Sequence, residues 1–134
     1  MRVLVYGCGQ LASGVVRSLL NEATEITVLG NERSQLERLS GFPKVSAVLM
    51  EEPIMRNYLM EAHIATADAF LALSQDDHEN LLVAQIAKRM FNIGIVVCHV
   101  EEPQLQTIYT DTGLNVVSYS VGVLQDVQFA INSM

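Results

Sequence analysis

Basic residues are scarce. Eight Lys and Arg stand against fifteen Asp and Glu, a formal net charge of −7, and the eight are scattered along the chain. Nucleic acid and anionic lipid surfaces call for a concentrated basic face, so neither is expected as a partner. Cysteine is nearly missing: Cys8 and Cys98 lie far apart, without C-x-x-C or metal-ligand spacing, and are read as reduced interior or near-site thiols with no disulfide and no metal. No apolar run approaches the roughly 20 residues that cross a bilayer, so direct membrane insertion is not expected. The opening Met1-Arg2-Val3-Leu4-Val5-Tyr6 runs straight into a glycine turn and lacks the longer apolar core and cleavage site of a secretory signal, which points to the cytoplasm. No repeat, low-complexity tract or linker divides the chain, and its 134 residues leave no room for a second substrate domain. A single domain over 1–134 is the expectation.

What the chain does have is apolar residues, 50% of the total, enough to bury a core without disulfides or a structural metal. Strand-like runs at Arg2 to Tyr6, Glu25 to Leu29, Val45 to Met50, Ala67 to Leu73, Ile95 to Val100 and Asn115 to Ser118 alternate with segments of helical period. This alternation predicts an α/β fold: a doubly wound, Rossmann-like parallel sheet of six strands in the order 3-2-1-4-5-6, with helices on both faces. Leu11, Val15, Leu19 and Leu20 make one helical stripe, and Leu82, Ile86 and Met90 another beside a polar edge at Lys88-Arg89. Asp76 or Asp77 is placed to cap the helix holding Leu81 to Met90, Pro103 suits a first helical turn, and Gly113 falls where that helix should stop. The terminal helix, 120–133, is apolar on two stripes, one through Val123, Val127 and Ala130 and one through Leu124 and Ile131 with Phe129 nearby. Either it is tucked deeply into its own fold or it forms a homodimer contact.

Gly7-Cys8-Gly9-Gln10-Leu11-Ala12 follows the first strand directly and opens the first helix, a G-x-G-x-x-A fingerprint in the position where dinucleotide-binding chains carry theirs. The first glycine permits a tight turn, the second admits a phosphate to the backbone, and the small Ala12 lets helix and strand pack closely. Amides at the helix start, backed by the positive end of its dipole, then face the phosphates. The acid that usually ends the second strand and holds the ribose is missing, because Gly30 stands there. Three readings stay open: Glu32 or Asn31 reaches the ribose, Arg33 accepts a 2′-phosphate as in NADP-binding variants, or ribose affinity is lost.

Together with the glycine turn, Ala67-Asp68-Ala69 and Ser74-Gln75-Asp76-Asp77-His78-Glu79-Asn80 make the sequence resemble the TrkA N-terminal (RCK/KTN) domain family. The family pattern of an Ala-Asp strand leading to Thr-x-x-Asp-x-x-Asn is met at Ala67, Asp68, Ser74 (for Thr), Asp77 and Asn80. Val96 to Val100 with Pro103, and Gly113 to Val117, are similar to its later strands. The resemblance implies a cytoplasmic regulatory domain, not an enzyme, that binds NAD(H), AMP, ADP or ATP; NADP stays a further option through Arg33. It also implies cytoplasmic assemblies that gate a potassium channel or transporter subunit at the membrane, and with the terminal helix these are expected to be a homodimer or larger ring. By resemblance the phosphate role falls to Gly7 and Gly9, with Ser74 across the crevice; the full set of candidate ligand-binding residues adds Gln10, Leu11, Gly30, Asn31, Glu32, Arg33 and Glu52 from the reading of the residues themselves. Four positions depart from the pattern: Gln10 replaces a phosphate-binding Arg, Gly30 the ribose acid, Glu51-Glu52 a Gly-Asp pair, and His99 an Arg. The C-terminal ligand-binding lobe often appended in the family is not in this sequence, so its partner is expected on another chain.

Glu51-Glu52, Asp76-Asp77 and Glu101-Glu102 follow the third, fourth and fifth strands, so six carboxylates are expected around one edge of the sheet. They either stabilise the helix starts through the dipole, or disfavour a bare triphosphate, or recruit a divalent cation. The alternatives to a sensor are a small NAD(P)-dependent oxidoreductase and an interaction module with a vestigial crevice. An oxidoreductase needs a catalytic acid or base, and His63, His78 and His99 are the candidates. His63 and His78 are expected to face solvent, and His99 has no Lys, Tyr or Ser partner at a spacing that suggests a proton relay.

Overall fold

The computed structural model describes residues 1–51, 55–109 and 112–133. Six parallel strands, β1 (Arg2–Tyr6), β2 (Glu25–Gly30), β3 (Val45–Leu49), β4 (Ala69–Ala72), β5 (Ile95–His99) and β6 (Asn115–Val117), form one sheet in the order β3-β2-β1-β4-β5-β6. The helices are α1 (Gln10–Ser18), α2 (Arg33–Ser40), α3 (Met55–Glu61), α4 (Asp77–Gln85), α5 (Pro103–Tyr109) and α6 (Tyr119–Asn132). A 3-10 turn, Ile64–Thr66, leads into β4, and a π-helical turn, Ile86–Met90, extends α4. The predicted doubly wound fold is the observed one.

Strands covered on both faces read as unbroken apolar runs, and β1 and β4 do: Leu4, Val5 and Tyr6, and all of Ala69–Ala72, are buried. In register, Leu4 lies between Thr27 and Phe70, and Val5 between Val28 and Leu71. Alternation along the strands splits the interior into two cores. Val3, Val5, Ile26 and Val28 meet Ala12 and Val16 of α1 and Leu36 and Leu39 of α2. Leu4, Tyr6, Phe70 and Val96 meet Leu59 of α3, Leu81, Val83 and Ala84 of α4, and Leu105 and Tyr109 of α5. The order reverses between β1 and β4, so the crossovers leave in opposite directions and a crevice opens at the carboxyl ends of those two strands.

The structure corrects three details. β4 spans Ala69–Ala72 rather than 67–73, although ladder bonds continue beyond it, from the Asp68 amide to the Arg2 carbonyl and from the Leu73 amide to the Tyr6 carbonyl, both 2.8 Å. The buried face of α1 is Ala12 and Val16, with Leu11, Val15, Leu19 and Leu20 half-buried beside them, because small side chains let the helix sit close to β1. The predicted stripe on α4 and its extension is not the buried one: Leu82 is 54% and Met90 66% exposed and only Ile86 packs against the core, whereas Leu81, Val83, Ala84 and Ala87 are buried. The buried Asn80 lies on the same inward face, its amide hydrogen-bonded to Ser74 and His99.

Candidate functional site

The turn from β1 into α1 is built around Gly7. At φ +117° it sits where side chains are rarely tolerated, and a Cβ there would lie 2.8 Å from the Ser74 amide nitrogen and 2.9 Å from the Leu73 carbonyl carbon. The backbones of β1 and β4 therefore meet at this point. The Gly7 amide donates to the Leu29 carbonyl at 2.7 Å, so it is spent on the sheet. The cradle lies one step on. Gly9 is the N-cap of α1 and supplies no side chain to its first amides, and the first turn of α1 carries no acid. Such amides have no carbonyl within the helix to bond and present the positive end of the dipole to a ligand.

Facing the turn, the segment after β4 is held by one amide side chain. Asn80 is wholly buried; its Oδ1 accepts from the Ser74 amide at 2.9 Å and the Ser74 hydroxyl at 2.8 Å, and its Nδ2 donates to the carbonyls of Ser74 at 2.8 Å and His99 at 2.9 Å. Every donor and acceptor of the side chain is used, and the ends of β4 and β5 are locked together. Asp77 repeats the device one turn earlier, accepting from the amides of Glu101 at 3.1 Å and Glu102 at 3.0 Å. Asp76 caps α4 by accepting from the Glu79 amide at 3.0 Å.

Beyond β5, Glu101 joins the crevice to α6. Its carboxylate meets His99 Nε2 at 2.9 Å, accepts from the Ser120 hydroxyl at 2.8 Å, and takes the Tyr119 amide at the helix start. Desolvation raises the Glu101 pKa, but the bonds from His99, Ser120 and the helix amides outweigh it and pull it down to about 2. The His99 ring also stands edge-on to Tyr119, with centroids 5.4 Å apart. Burial, with Glu79 and Asp76 adding repulsion, pushes the Tyr6 hydroxyl up to about 12, so negative charge at the crevice is felt beneath it. Burial and then Asp77 push the Cys98 thiol up to about 12, which leaves it neutral and unreactive.

The crevice encloses about 680 Å³, a volume suited to a small ligand. Gly7, Gly9, Asn31, Glu32 and Ser74, all expected at the site, line it together with Cys8, Gln35, Gln75 and Glu79. The other expected residues lie elsewhere. Gln10 belongs to a continuous groove of about 590 Å³ between α1 and α2, which shares Gly9, Gln35 and Gln75 with the crevice and carries Arg17 and Arg38. Leu11 borders a small recess with His99 and Tyr119. Arg33 pairs with Glu51 at 3.6 Å, both side chains well exposed. Gly30 is sealed: a Cβ there would come 2.5 Å from the Cys8 Sγ and 2.7 Å from the Cys8 Cβ. Glu52 lies outside the described residues.

Of the six rim acids, Asp76, Asp77, Glu101 and Glu102 line the crevice, Glu51 does not, and Glu52 is not described. Glu32 and Glu79 join them, and among the described residues no Lys or Arg does. Three of the lining carboxylates are engaged by amides of neighbouring segments, as capping and loop anchoring require. Among the described residues no three His, Cys, Asp or Glu converge in a way that could hold a metal ion. His99 and the exposed His78 line the crevice, while His63 is exposed at a cleft on the opposite edge of the sheet. The sequence reading missed Gln35 and Gln75, and took Cys8 only as an interior or near-site thiol. Cys8 stood in plain view inside the fingerprint, but nothing in one dimension sets it against Gly30.

The family model of the TrkA-N domain matches residues 3–120. The Trk system potassium uptake protein TrkA of Streptomyces coelicolor is 26% identical over 121 residues, 88% of this chain and 52% of that protein. Thus the chain spans about half the length of that relative, while in its Haemophilus influenzae counterpart the match takes in 66% of this chain and 19% of that protein. Among solved structures, the TrkA-N domain of the inner membrane protein ybaL from Escherichia coli superposes with a TM-score of 0.81 at 17% identity, covering 96% of this chain and 95% of that one. The Kef CTD of Shewanella denitrificans in its AMP-bound form does so at 0.77 and 13% identity, covering 98% of this chain and 80% of that one. Among the described residues no helix is long and apolar enough to cross a membrane.

Proposed function

Since the chain belongs to the TrkA-N domain family, we propose that it is a cytoplasmic, non-enzymatic sensor that binds NAD(H) or an adenine nucleotide at the β1–β4 crevice and reports its occupancy to a potassium channel or transporter. The observation that carries this reading is the uncapped start of α1, opened by Gly9 and set at the switch point of the sheet. Phosphates would rest on those amides, Ser74 would face them from across the crevice, and the adenosine would extend toward Asn31 and Glu32. Two relatives lend support: one is named for potassium uptake, and the AMP of the Kef structure suits a pocket of this kind.

For occupancy to be reported, the ligand must bind two arrangements of the domain with different affinity. His99 borders the crevice and holds Glu101, and Glu101 holds the start of α6, so a ligand that shifts His99 moves the contact on which α6 rests. No side chain of α6 is buried, with Leu124 62% and Phe129 76% exposed. We assign this face to a homodimer contact, or to the repeating contact of a larger ring.

Melting the protein with AMP, ADP, ATP, NAD, NADH and NADP tests the reading. A ligand that binds only the folded state raises the melting temperature. With this acidic lining, AMP or a dinucleotide is expected to give a larger shift than ATP in chelator. A null result with the whole panel would leave an interaction module, and nicotinamide turnover with a small carbonyl substrate would establish an oxidoreductase.

A further inference from the structure

We infer that Cys8 is a specificity-determining residue of this crevice: by filling the space of a side chain at position 30, it moves recognition of the ribose from the end of β2 to Glu32 at the start of α2. The inference rests on the nucleotide-binding reading above and names the group of the ligand that the crevice selects, a ribose with free hydroxyls.

Three observations converge on it. A Cβ at position 30 would come 2.5 Å from the Cys8 Sγ, 2.7 Å from the Cys8 Cβ and 3.3 Å from Leu36 Cδ2, so no acid can stand there while Cys8 occupies its present seat. Arg33, the candidate for a 2′-phosphate, does not line the crevice and is turned to Glu51 at 3.6 Å. Glu32 does line it. It holds the N-cap position of α2 without using its side chain as a cap, so its carboxylate is not consumed by the helix it precedes. A carboxylate accepts from both ribose hydroxyls and repels a phosphate on either, whereas an amide at the same place does neither strongly. The acids elsewhere in the crevice reinforce that repulsion.

The test is a set of four proteins, wild type, Glu32→Gln, Gly30→Asp and Cys8→Gly/Gly30→Asp, examined with AMP against 2′-deoxy-AMP and NAD against NADP by calorimetry, and by melting without ligand. Wild type is expected to favour the free-hydroxyl member of each pair about tenfold or more, the usual worth of a hydrogen bond to a charged group. Glu32→Gln should bring the ratios close to one while melting like wild type. Gly30→Asp alone should melt well below wild type, and the added Cys8→Gly should recover much of that loss and keep the preference for free hydroxyls. A preference that survives Glu32→Gln, or a Gly30→Asp protein that melts no lower than the double variant, overturns this inference while leaving nucleotide binding intact. If no variant binds either pair, the nucleotide reading falls and this inference falls with it.

Discussion

At the scale of single residues, the crevice depends on side chains that are missing as much as on those present. Gly9 is free to change: a Cβ there would meet only Gln75 Nε2, at an ordinary 3.6 Å. Gly9→Asp would supply α1 with a capping carboxylate and so hold or slightly raise its stability. The same carboxylate would sit on the amides meant for phosphate. The expected outcome is an unchanged or higher melting temperature together with loss of the nucleotide-induced shift; a retained shift would remove the phosphates from this helix. Asn80 is the opposite case. Asn80→Ala would strip partners from Ser74 and the His99 carbonyl in a buried place, and each orphaned group costs about 1–3 kcal/mol. Denaturant unfolding should show a loss of at least that size. Both residues were visible in the sequence as motif positions. What Asn80 does was not, because its partner His99 is 19 residues away.

At the scale of elements, the segment after β5 and the start of α6 act as one unit through Glu101. Its pKa is lowered in the folded protein from 4.5 to about 2. A depressed carboxylate contributes stability that is complete above its unfolded pKa and is lost as pH falls through the folded one. Wild type should therefore be more stable than Glu101→Gln at pH 6, and the gap should narrow from about pH 4.5 downward and vanish near pH 2, as thermal melts of the two proteins across that range would reveal. A constant gap would mean that the carboxylate's charge plays no part. The pairing of strands with helices was legible from alternation, since a sheet covered on both faces demands apolar runs and each helix a single buried stripe. The rotation of α4 was not. Leu82, Ile86 and Met90 suggest one stripe, yet only Ile86 packs against the core, and the inward face is the one that Leu81, Ala84 and Ala87 share with the buried Asn80.

At the scale of the whole molecule, α6 is the feature that a single copy leaves unsatisfied. Val123, Leu124, Val127, Phe129 and Ile131 are each more than half exposed on a helix that buries none of its side chains. If this face joins two copies, Leu124→Glu with Phe129→Glu should turn a dimer into a monomer by sedimentation. In the monomer the fold itself should be undisturbed, because neither side chain belongs to either core. A wild-type protein that sediments as a monomer at high concentration would withdraw the homodimer.

The amino-acid sequence by itself determined the alternation of strands and helices and the place of the glycine turn, because periodicity, caps and the fingerprint are local signals that repeat within a few residues, and the strand order followed from the doubly wound arrangement that these signals share. Only the tertiary structure decided which carboxylates are spent on amides, which way α4 is turned, and why position 30 is glycine. These depend on groups that meet across the switch point from separate strands, such as Cys8 against Gly30 and Asp77 against Glu101. Contacts of that kind are set by how the chain packs, and no local pattern records them.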